Sequence, residues 1–520
     1  MLTLKAAPVA ALAAIGALAL GIPASQPATA ATLIYARGND ALRLDPAMGT
    51  SSEDYKTGDW MCEGLVRFKG ATTDVEPALA TSWEKSEDGL TWTFHLRENV
   101  KFHDGSPFTA DAVVYSFERQ FNKSNPYYSP RFVRWAGKFG DMTKVEKVDD
   151  HTVKLHFTAP QPALFYNLAI YVGYIVSPNG VKNDPEGYAD HPICTGPFKF
   201  IRWEKNNFIE LDRFSDYWGP KPKLDKVVVR VIPENDVRLL ALQKGEVQLI
   251  DDLPFNRIAD VAKGPDTAVQ TVPAVGFSSL NLNMDSDKLK DIRVRQAIEY
   301  AINRKRVFNV SFFKQGELGD QPMPPGFLGH AKDITVYDYD PDKAKKLLAE
   351  AGYAKGLKLD FLAFANPRPY FPSPTDGVAM IKADLAKVGI DADVSMATWS
   401  DWIDRRRAGK FDITISGWTA STVDPDGVIY PYYHSNSVGL DNVSRLKNAD
   451  VDRLLIEARS TYDTNKRQEL YAQAVKIITE QAPTVFFAHP VYTLGLRREV
   501  VGAVRNPANQ VLLNDVSIKE

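Results

Sequence analysis

Catalytic signatures are missing from this chain. It has no G-x-S-x-G elbow, no H-E-x-x-H, no phosphate loop and no C-x-x-C. Gly276-Phe277-Ser278-Ser279 resembles an elbow only loosely and falls in a predicted strand. The eight histidines are scattered. His151 and His156 share one predicted hairpin but differ in parity, so a regular strand turns them to opposite faces. Strand and turn positions explain them better than a zinc site, and no metal or cofactor is expected. Carboxylates are plentiful, but none is marked as a catalytic pair. These absences favour a binder over an enzyme.

Charge of one sign is missing too. The formal net charge is −3 over 520 residues, which argues against a nucleic-acid-binding face or a polybasic membrane surface. Cysteine is scarce: only Cys62 and Cys194 occur. In an exported chain, two cysteines favour one disulfide, against a pair of buried free thiols. A bridge between them would tie the base of the second segment described below.

One long apolar run exists, residues 6–20, preceded by Lys5 and followed by Ala28-Thr29-Ala30. That is the three-part layout of a secretory signal peptide with an A-x-A cleavage site. The run is interrupted by Pro8 and too short to span a bilayer comfortably, which disfavours a transmembrane anchor. No cysteine lies near the cleavage site, so lipid attachment there is not available. Removal of residues 1–30 takes away Lys5 alone and moves the charge from −3 to −4. A free, soluble, exported protein suits the periplasm of a Gram-negative cell.

What the chain has in quantity is ordinary hydrophobicity and 11% aromatic residues, with nine Trp and 21 Tyr. A large core accounts for these, as does a cleft that packs varied side chains against rings. The length implies two or three lobes.

Local patterns give the layout. Asp88-Gly89 makes a tight turn, and after it Trp92, Phe94 and Leu96 alternate with polar residues. Asp104-Gly105 makes a second turn, and Thr109 caps a helix over 110–119. A helix is predicted over 53–66 and a second hairpin around Asp149-Asp150. The helix over 237–244 stops at Gly245. From residue 284, helices and strands alternate in an α/β pattern whose sheet-edge loops can carry a ligand. The predicted organisation is a signal peptide over 1–30, a first lobe built from 31–69, 191–283 and 485–520, an extra α+β domain over 70–190, and a second lobe over 284–484.

Residues 82–119 resemble the large bacterial peptide- and nickel-type solute-binding proteins, the extracellular receptors of ABC importers. The likeness continues at Glu63-Gly64-Leu65-Val66, Thr195-Gly196-Pro197-Phe198, Asp216-Tyr217-Trp218, Val294-Arg295-Gln296-Ala297 and Asp340-Pro341-Asp342-Lys343-Ala344. Ala386-Lys387-Val388-Gly389-Ile390 and Asn442-Val443-Ser444 extend it. The resemblance implies an α/β fold of two lobes around a cleft, the periplasmic binding protein fold of cluster C type, with an extra α+β domain on the first lobe. It also implies a peptide or peptide-like ligand, an ABC permease and its ATPase as partners, docking only at the periphery of that membrane complex, and a monomer.

The dipeptide-binding branch is the most similar. In that branch the arginine matching Arg368, here between Pro367 and Pro369, binds the peptide carboxylate. A planar guanidinium fork suits that group, and each charge-assisted bond is worth about 1.5–3 kcal/mol. An arginine on a surface acid, or solvated, is the bland alternative. The second stretch runs Gly417-Trp418-Thr419-Ala420-Ser421-Thr422-Val423-Asp424-Pro425-Asp426. In peptide-binding members an aspartate three residues after this Trp neutralises the α-ammonium; here the position is Ser421, which brings no charge. Either Asp424 or Asp426 swings in, or the ligand has no free ammonium there. Turn formation around Pro425 is the alternative for both acids. A similar run occurs in the glutathione-binding branch. The implied ligand site is Arg368, Ser421, Trp418 and Thr419, with Asp424. Trp399, Trp402, Tyr430 and Tyr432 are candidates for its walls. Glutathione, an amino-acid conjugate, haem or a nickel chelate are alternative ligands; a periplasmic hydrolase or chaperone are alternative classes.

Overall fold

Three sheets carry the fold in the computed structural model, which describes residues 31–420 and 422–519. The expected signal peptide and Ser421 lie outside the described residues. The first sheet grows around Thr32–Arg37, whose Leu33, Tyr35 and Ala36 are buried. Lys226–Val231 pairs with it in parallel, with Val227 and Val229 turned into the core. Phe208–Arg213 and Phe198–Glu204 extend that side; Leu249–Asp251, Val491–Arg497 and Thr267–Pro273 extend the other. The helix Asn235–Lys244 ends as expected at Gly245, whose φ of 77° is the left-handed turn that glycine adopts without strain.

The second sheet runs in the order Glu317–Leu318, Thr484–His489, Gly276–Leu282, Ile413–Thr419, Leu357–Phe364, Ile390–Ala397. Leu357–Phe364 pairs in parallel with both Ile390–Ala397 and Ile413–Thr419. The helices Pro374–Lys387 and Trp399–Arg407 connect these strands. They make two successive βαβ crossovers, and the loops at the carboxyl ends of such strands are where α/β sheets bind ligands.

The third sheet belongs to the extra α+β segment. Ala80–Lys85 and Thr91–Leu96 form the expected hairpin about Gly89, and Thr152–Phe157 and Met142–Asp149 complete four strands. The helix Ala110–Phe121 packs on it with Val113 and Phe117 buried. Thr109 occupies its N-cap position, but its hydroxyl makes no capping bond. Cys62 and Cys194 are joined as a disulfide, Cα–Cα 4.9 Å, across 132 residues of chain. Gly196 N–H donates to Met61 O beside it, 2.8 Å. A bridge over such a loop contributes about 2–4 kcal/mol.

Three expectations are corrected. The helix predicted over 53–66 is Ser52–Met61, opened by a reciprocal capping box between Ser51 and Asp54. It stops because Cys62 turns extended, and Glu63–Gly64 and Val66–Phe68 become short strands. The lobe boundaries expected at 283/284 and 484/485 also move. Gly276–Leu282 sits inside the second sheet, between Ile413–Thr419 and Thr484–His489, and is buried along its whole length. The chain therefore crosses between sheets at Ala274-Val275 and returns at Pro490. The two crossings touch: Ala274 N–H donates to Pro490 O at 3.0 Å. The polar residues Ser279 and Asn281 within it are buried, and Asn281 Nδ2 donates to Tyr432 Oη (3.1 Å) and Ser279 Oγ (3.1 Å).

Candidate ligand-binding site

A cavity of about 640 Å³ opens between side chains of the first and second sheets and the extra segment. The second-sheet wall starts on the helix Trp399–Arg407. Trp399 and Trp402 are three residues apart and so share one helix face. Their rings stack at 4.8 Å and 15°, with Phe364 edge-on to both at 5.6 and 5.3 Å. Both Trp rings line the cavity, together with Tyr370, Tyr432 and Arg406.

Arg368 follows the strand Leu357–Phe364 on a pinned loop. Its N–H donates to Phe371 O (3.1 Å), and Phe371 N–H donates back to Arg368 O (2.9 Å). The guanidinium carbon lies 3.5 Å from the centre of the Trp399 ring. Its Nε is buried without a hydrogen-bond partner. Arg368 is not itself in the lining; Pro369, Tyr370 and Trp399 are. Arg406 is in the lining, buried, and 3.5 Å from Asp441. It sits within Arg405-Arg406-Arg407 at a helix C-terminus, where a basic run reads as a response to the helix dipole.

Trp418 and Thr419 end the strand Ile413–Thr419 and line the cavity. Trp418 Nε1 donates to Gly427 O, 3.0 Å, which holds the indole against the following turn. Tyr430 lies outside the lining. It stacks on His434 at 4.3 Å and lies under the Arg459 guanidinium at 3.8 Å.

Of the readings open for Asp424, included in the implied site, the structure shows the turn around Pro425 and places the side chain outside the cavity lining. Asp424 is fully buried and forms a two-pronged pair with Arg467, 2.8 and 2.9 Å. It also accepts from Asp426 N–H at 2.9 Å, which makes the turn around Pro425. A guanidinium buried this deeply needs a carboxylate partner, so Asp424 is held away from the cavity. Asp426 pairs with Arg459 at 3.0 Å. Burial pushes its carboxyl up, against the pull of Arg459.

The opposite wall carries residues that no sequence motif marks. Tyr55 and Tyr171 stack at 3.7 Å. Lys56 is buried against Asp251 and lies 3.6 Å from Asp252. Arg505 holds the same two acids at 2.8 and 3.0 Å. Burial alone would raise the Asp251 carboxyl, but Arg505 and Lys56 outweigh it and hold it below the usual carboxylate range. Asp59 is different: burial pushes its carboxyl up to about 7, although Tyr174 Oη and Gln510 Nε2 donate to Oδ1 at 2.5 and 3.4 Å. Burial lowers the Lys138 ammonium to about 8, with Asp426 and Asp424 acting the other way. Among the described residues, no group of three or more His, Cys, Asp or Glu side chains is arranged to hold a metal. Among them, no helix is long and apolar enough to cross a membrane.

Comparison with known proteins extends the picture. Residues 74–439 match the family model of bacterial extracellular solute-binding proteins, family 5 Middle. The dipeptide-binding protein of Escherichia coli is 35% identical, over 94% of this chain and 95% of that protein. Heme-binding protein A of Haemophilus influenzae is 33% identical, over 94% and 92%. The ABC transporter-associated periplasmic binding protein of Helicobacter pylori, solved in complex with the peptide STSA, superposes with a TM-score of 0.79. It is 34% identical, with 94% of this chain and 98% of that one covered. The fold is the two-lobed periplasmic binding protein fold, with the cavity where its lobes meet. With most of its length matched and its two lobes around a shared cavity, the chain belongs to family 5 of the bacterial extracellular solute-binding proteins.

Proposed function

We propose that this protein is the substrate-binding component of an ABC importer. It captures di- or oligopeptides between its lobes and presents them to a membrane permease and its ATPase. One observation carries the reading: the cavity of about 640 Å³ is walled by aromatic rings from both lobes, with a stacked arginine, Arg368, beside the lining. Flat rings and roomy, wet space tolerate varied side chains, while a guanidinium grips the one group all peptides share, the carboxylate. A ligand that touches both walls favours the closed arrangement, because those contacts exist together only there. The protein works in the periplasm as a monomer, freed by cleavage after residue 30, and it turns nothing over.

Isothermal titration with Ala-Ala, tripeptides, glutathione and nickel–histidine tests this. Micromolar or tighter binding of a peptide is expected. Folded protein that ignores every peptide sinks the peptide reading. A second reading stays within the receptor class: glutathione, another amino-acid conjugate, haem or a nickel chelate. The relative named for heme favours it, as does the pairing of Asp424, Asp426 and Asp441, among the described residues, with Arg467, Arg459 and Arg406. Mass spectrometry of what co-purifies separates the two.

A further inference from the structure

A peptide brings an ammonium into the cavity, and a cation there needs a counter-charge. The acids around the cavity can be taken in turn. Asp424 is held by Arg467 and Asp426 by Arg459. Asp441 faces Arg406, and Asp252 is shared by Arg505 and Lys56. All four already have cations of their own.

Asp59 does not. It lies in the helix Ser52–Met61 and lines the cavity from the first lobe. Tyr174 Oη and Gln510 Nε2 both donate to Oδ1. Among the described residues, none donates to Oδ2, and no Lys or Arg is within ion-pairing distance. The charged neighbour on its own helix, Lys56, is engaged by Asp251. The strand Tyr174–Ile175 brings the Tyr174 phenol to it, and the C-terminal segment the Gln510 amide.

On the peptide reading above, we infer that Asp59 is the acceptor for the ligand's ammonium, the residue that selects an amine-bearing ligand. Tyr174 and Gln510 are positioning residues: they fix one carboxylate oxygen and leave the other for the ligand. The ligand's two charges then engage opposite lobes, the ammonium at Asp59 and the carboxylate at Arg368. A molecule lacking either charge loses a contact that draws the lobes together. The acid that matching receptors place on the second lobe is thus replaced by one on the first.

The inference has a proton signature. Burial holds the Asp59 carboxyl up at about 7, so near pH 7 it carries protons to give up. An ammonium seated on it favours the carboxylate, so binding releases protons. Calorimetry at pH 7 in phosphate and in Tris, whose ionisation enthalpies differ, reads that release directly. Ala-Ala is compared with N-acetyl-Ala-Ala on wild type and on Asp59→Asn. For wild type, Ala-Ala is expected to release protons, and the acetylated peptide to bind at least about tenfold more weakly without release. In Asp59→Asn, Ala-Ala weakens about 10- to 100-fold, the release vanishes and the gap between the two peptides closes. Release and preference that persist in Asp59→Asn overturn the inference. So does wild type that binds both peptides equally without release, a result that needs no variant to fold. If no peptide binds, the peptide reading falls and this inference with it; peptide binding that ignores Asp59 overturns this inference alone.

Discussion

The two walls of the cavity are built on different principles. The second-lobe wall is aromatic, and the acids in it and behind it are already paired: Asp441 in the lining with Arg406, and behind it Asp424 with Arg467 and Asp426 with Arg459. The first-lobe wall keeps an acid, Asp59, and a lysine, Lys138, without ion-pair partners among the described residues. The difference teaches that a carboxylate's place near a binding motif says little about its job. Asp424 lies six residues from Trp418 and serves the fold. Asp59 lies on the opposite wall and, among the described residues, has no ion-pair partner.

The strongest way to break that contrast is to remove Arg467. Arg467→Ala leaves Asp424 buried without a counter-charge, and urea denaturation should report a loss of about 3–5 kcal/mol. If Asp424 instead reached ligand, the loss would appear in affinity and stability would hold. Next comes Arg368. Arg368→Ala should weaken a carboxylate ligand by about 2–4 kcal/mol in titration calorimetry, because its partner group is left in the cavity unpaired. Unchanged affinity would remove Arg368 from the site and leave Arg406 as the wall's cation.

The smallest effect concerns the free protein and pH. The Asp59 carboxyl is held up at about 7 in the fold, well above an unfolded aspartate. Between about pH 4 and 7 the folded state keeps a proton that the unfolded state has lost, so this group lowers stability as pH rises through that window. Asp59→Asn removes the dependence. Partial exposure to water trims the gain, so the variant should match wild type at pH 4 and exceed it by about 1 kcal/mol at pH 8. Parallel pH profiles for the two proteins would show that Asp59 sits as an ordinary solvated acid, and the contrast between the walls would blur.

Much of the frame was legible because it is local. The Asp88-Gly89 hairpin, the helix stopped by Gly245 and the α/β alternation after residue 284 all follow from turn chemistry and periodicity. The positions of Trp418 and Thr419 in the lining, and of Arg368 beside it, follow from strand ends, where α/β sheets expose their loops. The boundary expected after residue 283 could not be placed from sequence because the strand Gly276–Leu282 takes its neighbours from far along the chain. Asn281 bonds Tyr432 and Thr484 in the core. Arg406 was missed because a basic helix end looks the same whether it faces water or a cavity. Asp59 was missed because nothing in its own helix distinguishes it from Glu53 or Asp54.

By itself the sequence determined the class of the fold, the family and second-lobe loops that border the cavity, since these rest on short-range patterns and motif wording. Tertiary structure alone decided which charges are free. A carboxylate's availability depends on whether a cation from another part of the chain pairs with it: Arg467 pairs with Asp424 across 43 residues, and among the described residues no cation forms an ion pair with Asp59. Burial then sets the energy of each outcome, and burial belongs to the packed molecule and not to any stretch of its sequence.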